Sequence, residues 1–70
     1  MNRITFGTKL IASSGYDAQM AVLVIEFAQT GQVIRYMDVS EEIWYGFKTS
    51  YFPDQFFQHH IMGRFEEHRL

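Results

Sequence analysis

The sequence predicts an α+β domain, a three-stranded antiparallel β-meander followed by two short α-helices packed on one face of the sheet. Alternating apolar residues and glycine-containing turns fill residues 10–39, whereas residues 40–65 carry helix start signals and apolar residues at helical spacing. Strands that all precede the helices are typical of an antiparallel sheet with helices on one side. The 70 residues are expected to form a single domain, residues 1–70.

The first predicted strand runs from Leu10 to Tyr16, after a break at residues 7–9. Residues 17–19 then turn into the next strand. The segment Arg3–Phe6 fits two descriptions, a short strand or a loose arm.

A hairpin is predicted over residues 17–39, with Thr30 and Gly31 as its two turn residues. In this register Glu26 lies opposite Arg35. Opposite charges on a cross-strand pair favour this register over a slip of one residue, which would move one strand's side chains to the other face.

Both faces of this hairpin are apolar. The first face carries Ala21, Leu23, Ile25, Phe27, Ile34 and Tyr36. The second carries Met20, Val22, Val24, Ala28, Val33, Met37 and Val39. Because one layer of short helices covers only one of these faces, the other is expected to meet something else.

The first helix is predicted to begin at Ser40, a good N-cap residue that two glutamates follow. Its apolar stripe consists of Ile43, Trp44 and Phe47. A second helix is predicted to begin at Pro53 and to end at Gly63 as its C-terminal cap. Its apolar positions are Phe56, Phe57, His60 and Ile61.

The composition narrows the classes of function. The net charge is −2 and six Lys and Arg residues are scattered along the chain, so no basic footprint for nucleic acid is visible. The chain contains no cysteine, and it shows neither a signal peptide nor an apolar stretch of membrane-spanning length. A cytoplasmic protein that does not contact the membrane is expected.

Four segments of the chain are informative when taken together: Gly15-Tyr16-Asp17, the alternating Leu23, Ile25 and Phe27, the run Arg35 to Val39, and the ending His60 to Phe65. They resemble the KTSC domain. The resemblance covers about residues 8–65. The family is named for the C-terminal region of some lysyl-tRNA synthetases and also occurs as small free-standing bacterial proteins, and this association has suggested RNA binding.

The chain departs from the family's pattern at two short motifs and on the second sheet face. Only Tyr36 remains of a Tyr-x-Tyr motif that falls on residues 34–36, and a basic Ser-Lys-Gly turn falls on Phe52-Pro53-Asp54. Polar residues on the second sheet face of relatives correspond to Val22 and Val24 here. This replacement of polar residues by valine is expected where the second sheet face binds a protein.

Catalysis and metal binding are not expected. His59 and His60 are adjacent and point about 100° apart on a helix, so they do not share a metal site. His68 lies in a charged tail. No catalytic residue, cofactor or metal site is therefore predicted, because no carboxylate or His converges with a second polar group.

Protein association is the leading hypothesis. The predicted interface consists of Met20, Val22, Val24, Met37 and Val39, which bind a protein partner or a second copy in a homo-oligomer. A competing interpretation is that the N-terminal arm, with Ile4 and Phe6, folds over this face within one chain.

Binding of single-stranded RNA is the alternative function. Its candidate residues are Arg35, Tyr36, Lys48 and Arg64, because exposed aromatic rings flanked by cations bind unpaired bases. The predicted register opposes this hypothesis, since it places Tyr36 on the face that the helices cover and Arg35 opposite Glu26.

Overall fold

The computed structural model describes residues 2–70, which form one antiparallel sheet of five strands in the order β1-β2-β3-β4-β5 and two helices. The elements are β1 (Asn2–Thr5), β2 (Ile11–Asp17), β3 (Val22–Phe27), β4 (Val33–Tyr36), α1 (Glu41–Thr49), α2 (Pro53–His60) and β5 (Glu67–Arg69). The predicted α+β class is confirmed. The predicted number of strands is wrong, because the sheet gains a short strand at each edge.

The N-terminal segment forms the edge strand β1. It pairs antiparallel with β2, so that Ile4 lies opposite Ser14. Ile4 and Phe6 pack against the core from this edge, and the Phe6 ring stacks on Phe47 at a centroid distance of 4.8 Å. The segment therefore widens the sheet, and the interpretation in which it folds over the second face is wrong.

The other edge strand, β5, comes from the charged C-terminal segment. It pairs with β4, and backbone bonds on either side of it join Met37 N to Glu66 O at 2.9 Å and Leu70 N to Val33 O at 3.0 Å. Its side chains are exposed. Because backbone bonds alone hold it, no apolar alternation in the sequence indicates this strand.

The β3–β4 hairpin has a longer loop than predicted. Gly31 N donates to Phe27 O and Phe27 N donates to Gln32 O, both at 2.9 Å, so residues 28–31 form the loop. The strands consequently pair two residues away from the predicted register, with Ile25 opposite Ile34. A shift of two residues keeps each side chain on its face. The predicted Glu26 and Arg35 pair is wrong, but the predicted faces of the paired strand residues are retained.

Both helices begin where the sequence predicts. The Ser40 hydroxyl accepts a hydrogen bond from Ile43 N at 3.3 Å, which caps α1, and Pro53 occupies the first turn of α2. The predicted end of α2 is wrong. The helix ends at His60 with Ile61 as its cap, and Gly63 lies in the following turn with a φ of 75°.

The core lies between the two helices and one face of the sheet. Aromatic contacts dominate it: Tyr16 stacks on Trp44 with centroids 5.5 Å apart, and Phe57 meets Phe27 and Tyr36 edge-on at 5.6 Å. The buried core residues are Ile11, Tyr16, Leu23, Ile25, Ile34, Tyr36, Val39, Trp44, Phe47, Phe57 and Ile61. His60, predicted to pack beside Phe56 and Ile61, lies with its ring centroid 4.6 Å from that of Phe56, although it is exposed and outside the core.

Asp54 ties the β1–β2 loop to the start of α2. Its Oδ1 accepts a hydrogen bond from the Thr8 hydroxyl at 2.5 Å, and its Oδ2 accepts one from Leu10 N at 3.3 Å. The acidic residue in the Phe52-Pro53-Asp54 turn therefore has a structural role.

The loop geometry predicts unequal costs of substitution at Thr30 and Gly31. Gly31 has a φ of 71°, where a β-branched residue is strained, so Gly31→Val is expected to lower the free energy of unfolding by about 1 to 2 kcal/mol. Thr30→Val removes one exposed hydrogen bond, from Gln32 N to the Thr30 hydroxyl, and is expected to cost about 0.5 kcal/mol. Urea denaturation of both variants measures the difference. Equal costs would contradict the four-residue loop.

Candidate functional site

The candidate site is the face of the sheet opposite the helices, here called the open face. Strand alternation and the observed register place these residues on it: Arg3, Thr5, Ser13, Gly15, Asp17, Val22, Val24, Glu26, Val33, Arg35, Met37 and His68. Both helices pack against the other face, so the open face has no helical cover within residues 2–70.

The centre of the open face is apolar. Val22 is buried among its neighbours, and Val24, Val33 and Met37 are half-buried. The structure thus places three residues of the predicted interface, Val22, Val24 and Met37, on this face. Met20 is exposed in the β2–β3 turn at the end of the strands.

The predicted placement of Val39 is wrong. Its side chain is 0% exposed and belongs to the core. The chain leaves strand geometry at Asp38, which has a φ of 58°, and Val39 N then donates to Ala21 O at 2.8 Å. Because the positive φ ends the alternation of side chains, Val39 turns towards the helices.

Three polar side chains form a network beside the apolar centre. Arg3 Nη2 donates to Glu26 Oε1 at 2.8 Å and to Ser13 Oγ at 3.0 Å, and Ser13 Oγ donates to Glu26 Oε1 at 2.8 Å. The hydrogen bond from Ser13 and then those from Arg3 lower the pKa of Glu26 below its usual value. Glu26 is therefore an ionised carboxylate at neutral pH, and its charge is matched by Arg3.

Arg35 is left without the carboxylate predicted for it. Its neighbours across the strands are Val24 and His68. Among residues 2–70 no carboxylate oxygen lies within 4.0 Å of its guanidinium group, and the carboxylate of Glu66 instead lies 3.3 Å from His68 Nε2. Arg35 is exposed and available to an external group.

A cavity of about 260 Å³ opens on this face beside Gly15. Gly15 lies between Arg3 on β1 and Val24 on β3, so its missing side chain leaves a hole in an otherwise continuous surface. The lining residues are Arg3, Ser13, Ser14, Gly15, Val24, Glu26, Val33 and Leu70. This space is here called the Gly15 cavity.

The four residues predicted to bind RNA are not brought together. Tyr36 is 1% exposed, and burial raises the pKa of its hydroxyl group well above the usual value. Lys48 Nζ lies 5.6 Å from the Trp44 ring centroid on α1, and Arg64 Nε donates to His59 O at 2.9 Å beside α2. Arg35 alone of the four lies on the open face.

Residues 2–70 contain no group of three His, Cys, Asp or Glu side chains that could hold an ion. Over the same residues no helix is long and apolar enough to cross a membrane.

Sequence reasoning missed Arg3, Ser13 and Gly15 as site residues. Arg3 lies in a segment that the sequence allows to be either a short strand or a loose arm. Its hydrogen bond to Glu26 forms only because β1 pairs with β2 and β2 pairs with β3. A Gly at the centre of a strand pattern is the one signal that could have indicated the cavity.

The comparisons with known proteins agree with the sequence resemblance. The sequence profile of the KTSC domain matches residues 8–65, most of the chain. The chain belongs to the KTSC domain family. The crystal structure of a KTSC domain protein from Yersinia pestis is similar, with a TM-score of 0.92 and 28% sequence identity over 99% of this chain and 96% of that chain. A search of curated proteins finds no significant match.

The lowered pKa of Glu26 predicts a pH dependence of stability. A carboxyl group with a lower pKa in the folded than in the unfolded state stabilises the fold above its unfolded pKa, about 4.3 for Glu, and this stabilisation is lost as the pH falls through the folded pKa. Glu26→Gln is therefore expected to be less stable than the parent at pH 7, with the difference shrinking below about pH 4.

Thermal melts of the two proteins from pH 7 to pH 2.5 measure this difference. Glu67→Gln, at an exposed position on β5, is the matched control and should follow the parent. A Glu26→Gln difference that stays constant with pH would mean that the network does not hold the carboxylate.

Proposed function

We propose that this KTSC domain is a non-catalytic interaction module that self-associates or docks a protein through the open face. The observation that carries the proposal is an apolar centre without helical cover, which consists of the half-buried Val24, Val33 and Met37 beside the buried Val22. The other face of the sheet is packed with aromatic rings. Apolar patches rimmed by polar residues mark interaction surfaces. Here Arg3, Glu26 and Arg35 are the rim.

The size of the face fits a modest interface. The Cα atoms span 28 × 26 × 23 Å, so a flat face offers roughly 600 Å² to a partner, somewhat below the ~800 Å² per partner of a standard interface. An interface of this size is typical of weak or transient complexes.

The polar network argues against catalysis. Ser13 donates to an ionised carboxylate, as a serine nucleophile donates to its base. The lowered pKa of Glu26 makes it a weak proton acceptor, however, because a general base works best with a pKa near the working pH. The hydrogen bonds of Arg3 and Ser13 to Glu26 serve to fix β1, β2 and β3 to one another.

Binding of single-stranded RNA is a second proposal, which the unpaired Arg35 on the open face supports. Exposed aromatic rings that could stack on bases, such as Tyr45 and Tyr51, lie instead in the helical layer. Fluorescence anisotropy with labelled single-stranded RNA at low and moderate salt tests it. Strong, salt-dependent binding by a monomer that is lost in Arg35→Gln would favour RNA over protein.

The interaction proposal predicts the effect of Val24→Glu. A carboxylate at an apolar interface loses its hydration, and pairing with the exposed Arg35 across the strands offsets only part of that cost, so self-association is expected to weaken by about tenfold. The fold should lose about 1 kcal/mol, because the Val24 side chain is only half-buried in the free protein. Sedimentation equilibrium and urea denaturation measure the two effects.

Gln29→Glu in the exposed β3–β4 loop is the matched control, since it makes the same charge change away from the open face. It should associate like the parent. A parent that is monomeric at millimolar concentration, with Val24→Glu still folded, would remove self-association from the proposal. Unfolding by Val24→Glu would instead make Val24 a core residue.

A further inference from the structure

The Gly15 cavity has the chemistry of a side-chain pocket. Its walls are largely apolar and come from Val24, Val33 and Leu70, while Arg3, Ser13 and Glu26 form one polar edge. At about 260 Å³ it is smaller than the ~300 to 1,000 Å³ typical of small-molecule sites. It accommodates one large side chain of a docked protein.

The polar edge has no net charge, because Arg3 and Glu26 form an ion pair. Glu26 accepts bonds from Arg3 and Ser13 at Oε1, which leaves Oε2 free to accept another bond. A partner's carboxylate or ammonium group meets one like and one opposite charge here, so the edge favours neither over a neutral polar group. A phenol hydroxyl both donates and accepts, so tyrosine combines a ring for the apolar walls with a hydroxyl for this edge.

This chain displays such a tyrosine in its helical layer. Tyr51 is 95% exposed in the connection between α1 and α2, next to Phe52, which is 68% exposed. This connection belongs to the helical layer, whereas the Gly15 cavity opens on the other face of the sheet. An aromatic knob and a matching hole thus lie on different layers of one molecule, the knob beside the β1–β2 loop.

We propose that Tyr51 of one copy inserts into the Gly15 cavity of a second copy. This inference rests on the proposed function and specifies the partner and the contact. Because the knob and the hole lie on different layers, the contact is head-to-tail, and it generates rings or open chains. One contact then covers two apolar features that the isolated molecule exposes.

Mixing two variants tests this contact. Tyr51→Ser removes the knob and keeps the hole, whereas Gly15→Ala keeps the knob and narrows the hole. Each variant alone is expected to sediment as a monomer at concentrations where the parent associates. An equimolar mixture should form a 1:1 dimer, because one intact contact joins the two variants. Tyr45→Ser, at another exposed tyrosine of the helical layer, is the control and should associate like the parent.

Both variants are expected to fold. Tyr51 is exposed, and Ala is favoured over Gly in a strand interior by roughly 0.5 to 1 kcal/mol. A thermal melt verifies this. If Gly15→Ala does not fold, Glu26→Gln replaces it as the variant with an altered hole.

An independent arm uses N-acetyl-tyrosinamide as the probe in an NMR titration of the Tyr51→Ser variant. Saturable shifts at Gly15, Val24 and Val33, with several-fold weaker binding of N-acetyl-phenylalaninamide, support the inference. No binding, or equal binding of the two probes, overturns it. Unchanged self-association of Tyr51→Ser also overturns it. If Val24→Glu still disrupts association in that case, the proposed function stands without this contact.

Discussion

A single helical layer on one sheet is the constraint from which the rest of this structure follows. The helices contribute nine and eight residues, or about 13 Å of length each, and they reach only one face of a five-stranded sheet. That face holds the aromatic core. The other face has apolar residues at its centre and no cover within residues 2–70, and the functional proposals rest on this asymmetry.

Polar contacts fix the helical layer in place on the covered face. The Tyr16 hydroxyl donates to Val39 O at 2.5 Å just before α1, and Asp54 binds the β1–β2 loop at the start of α2. On the open face, Arg3, Ser13 and Glu26 join three strands in the same way. Both faces therefore carry polar contacts that join elements distant in sequence.

The predictable parts of the fold depend on local patterns. The start of α1 follows from Ser40, the start of α2 from Pro53, and the faces of β3 and β4 from strand alternation. Of the edge strands, β1 agrees with one of the two alternatives that the sequence leaves open for residues 3–6. Strand β5 was not predictable in this way, because it is held by backbone bonds and its charged residues have no apolar face. The hairpin register failed because loop length is set by tertiary pairing, and the attractive match of Glu26 with Arg35 was coincidental.

The candidate site was predictable only in its apolar part. Strand alternation predicts the positions of Val22, Val24 and Met37 on the open face. Val39 departs from this alternation because Asp38, the residue before it, has a positive φ. The network of Arg3, Ser13 and Glu26 joins residues distant in sequence, so no spacing rule reveals it. Membership of the KTSC domain family accounts for the fold. The chemistry of the open face depends on the residues of this chain.

Solvent accessibility of methyl groups as a function of protein concentration tests the central claim most directly. Relaxation enhancement by a soluble paramagnetic agent would be measured by NMR at low micromolar and at millimolar concentration. The account predicts that the methyl groups of Val24 and Val33 become protected as concentration rises, whereas those of Leu23 and Ile25 are protected throughout. Unchanged exposure of Val24 and Val33 at millimolar concentration would contradict self-association through the open face.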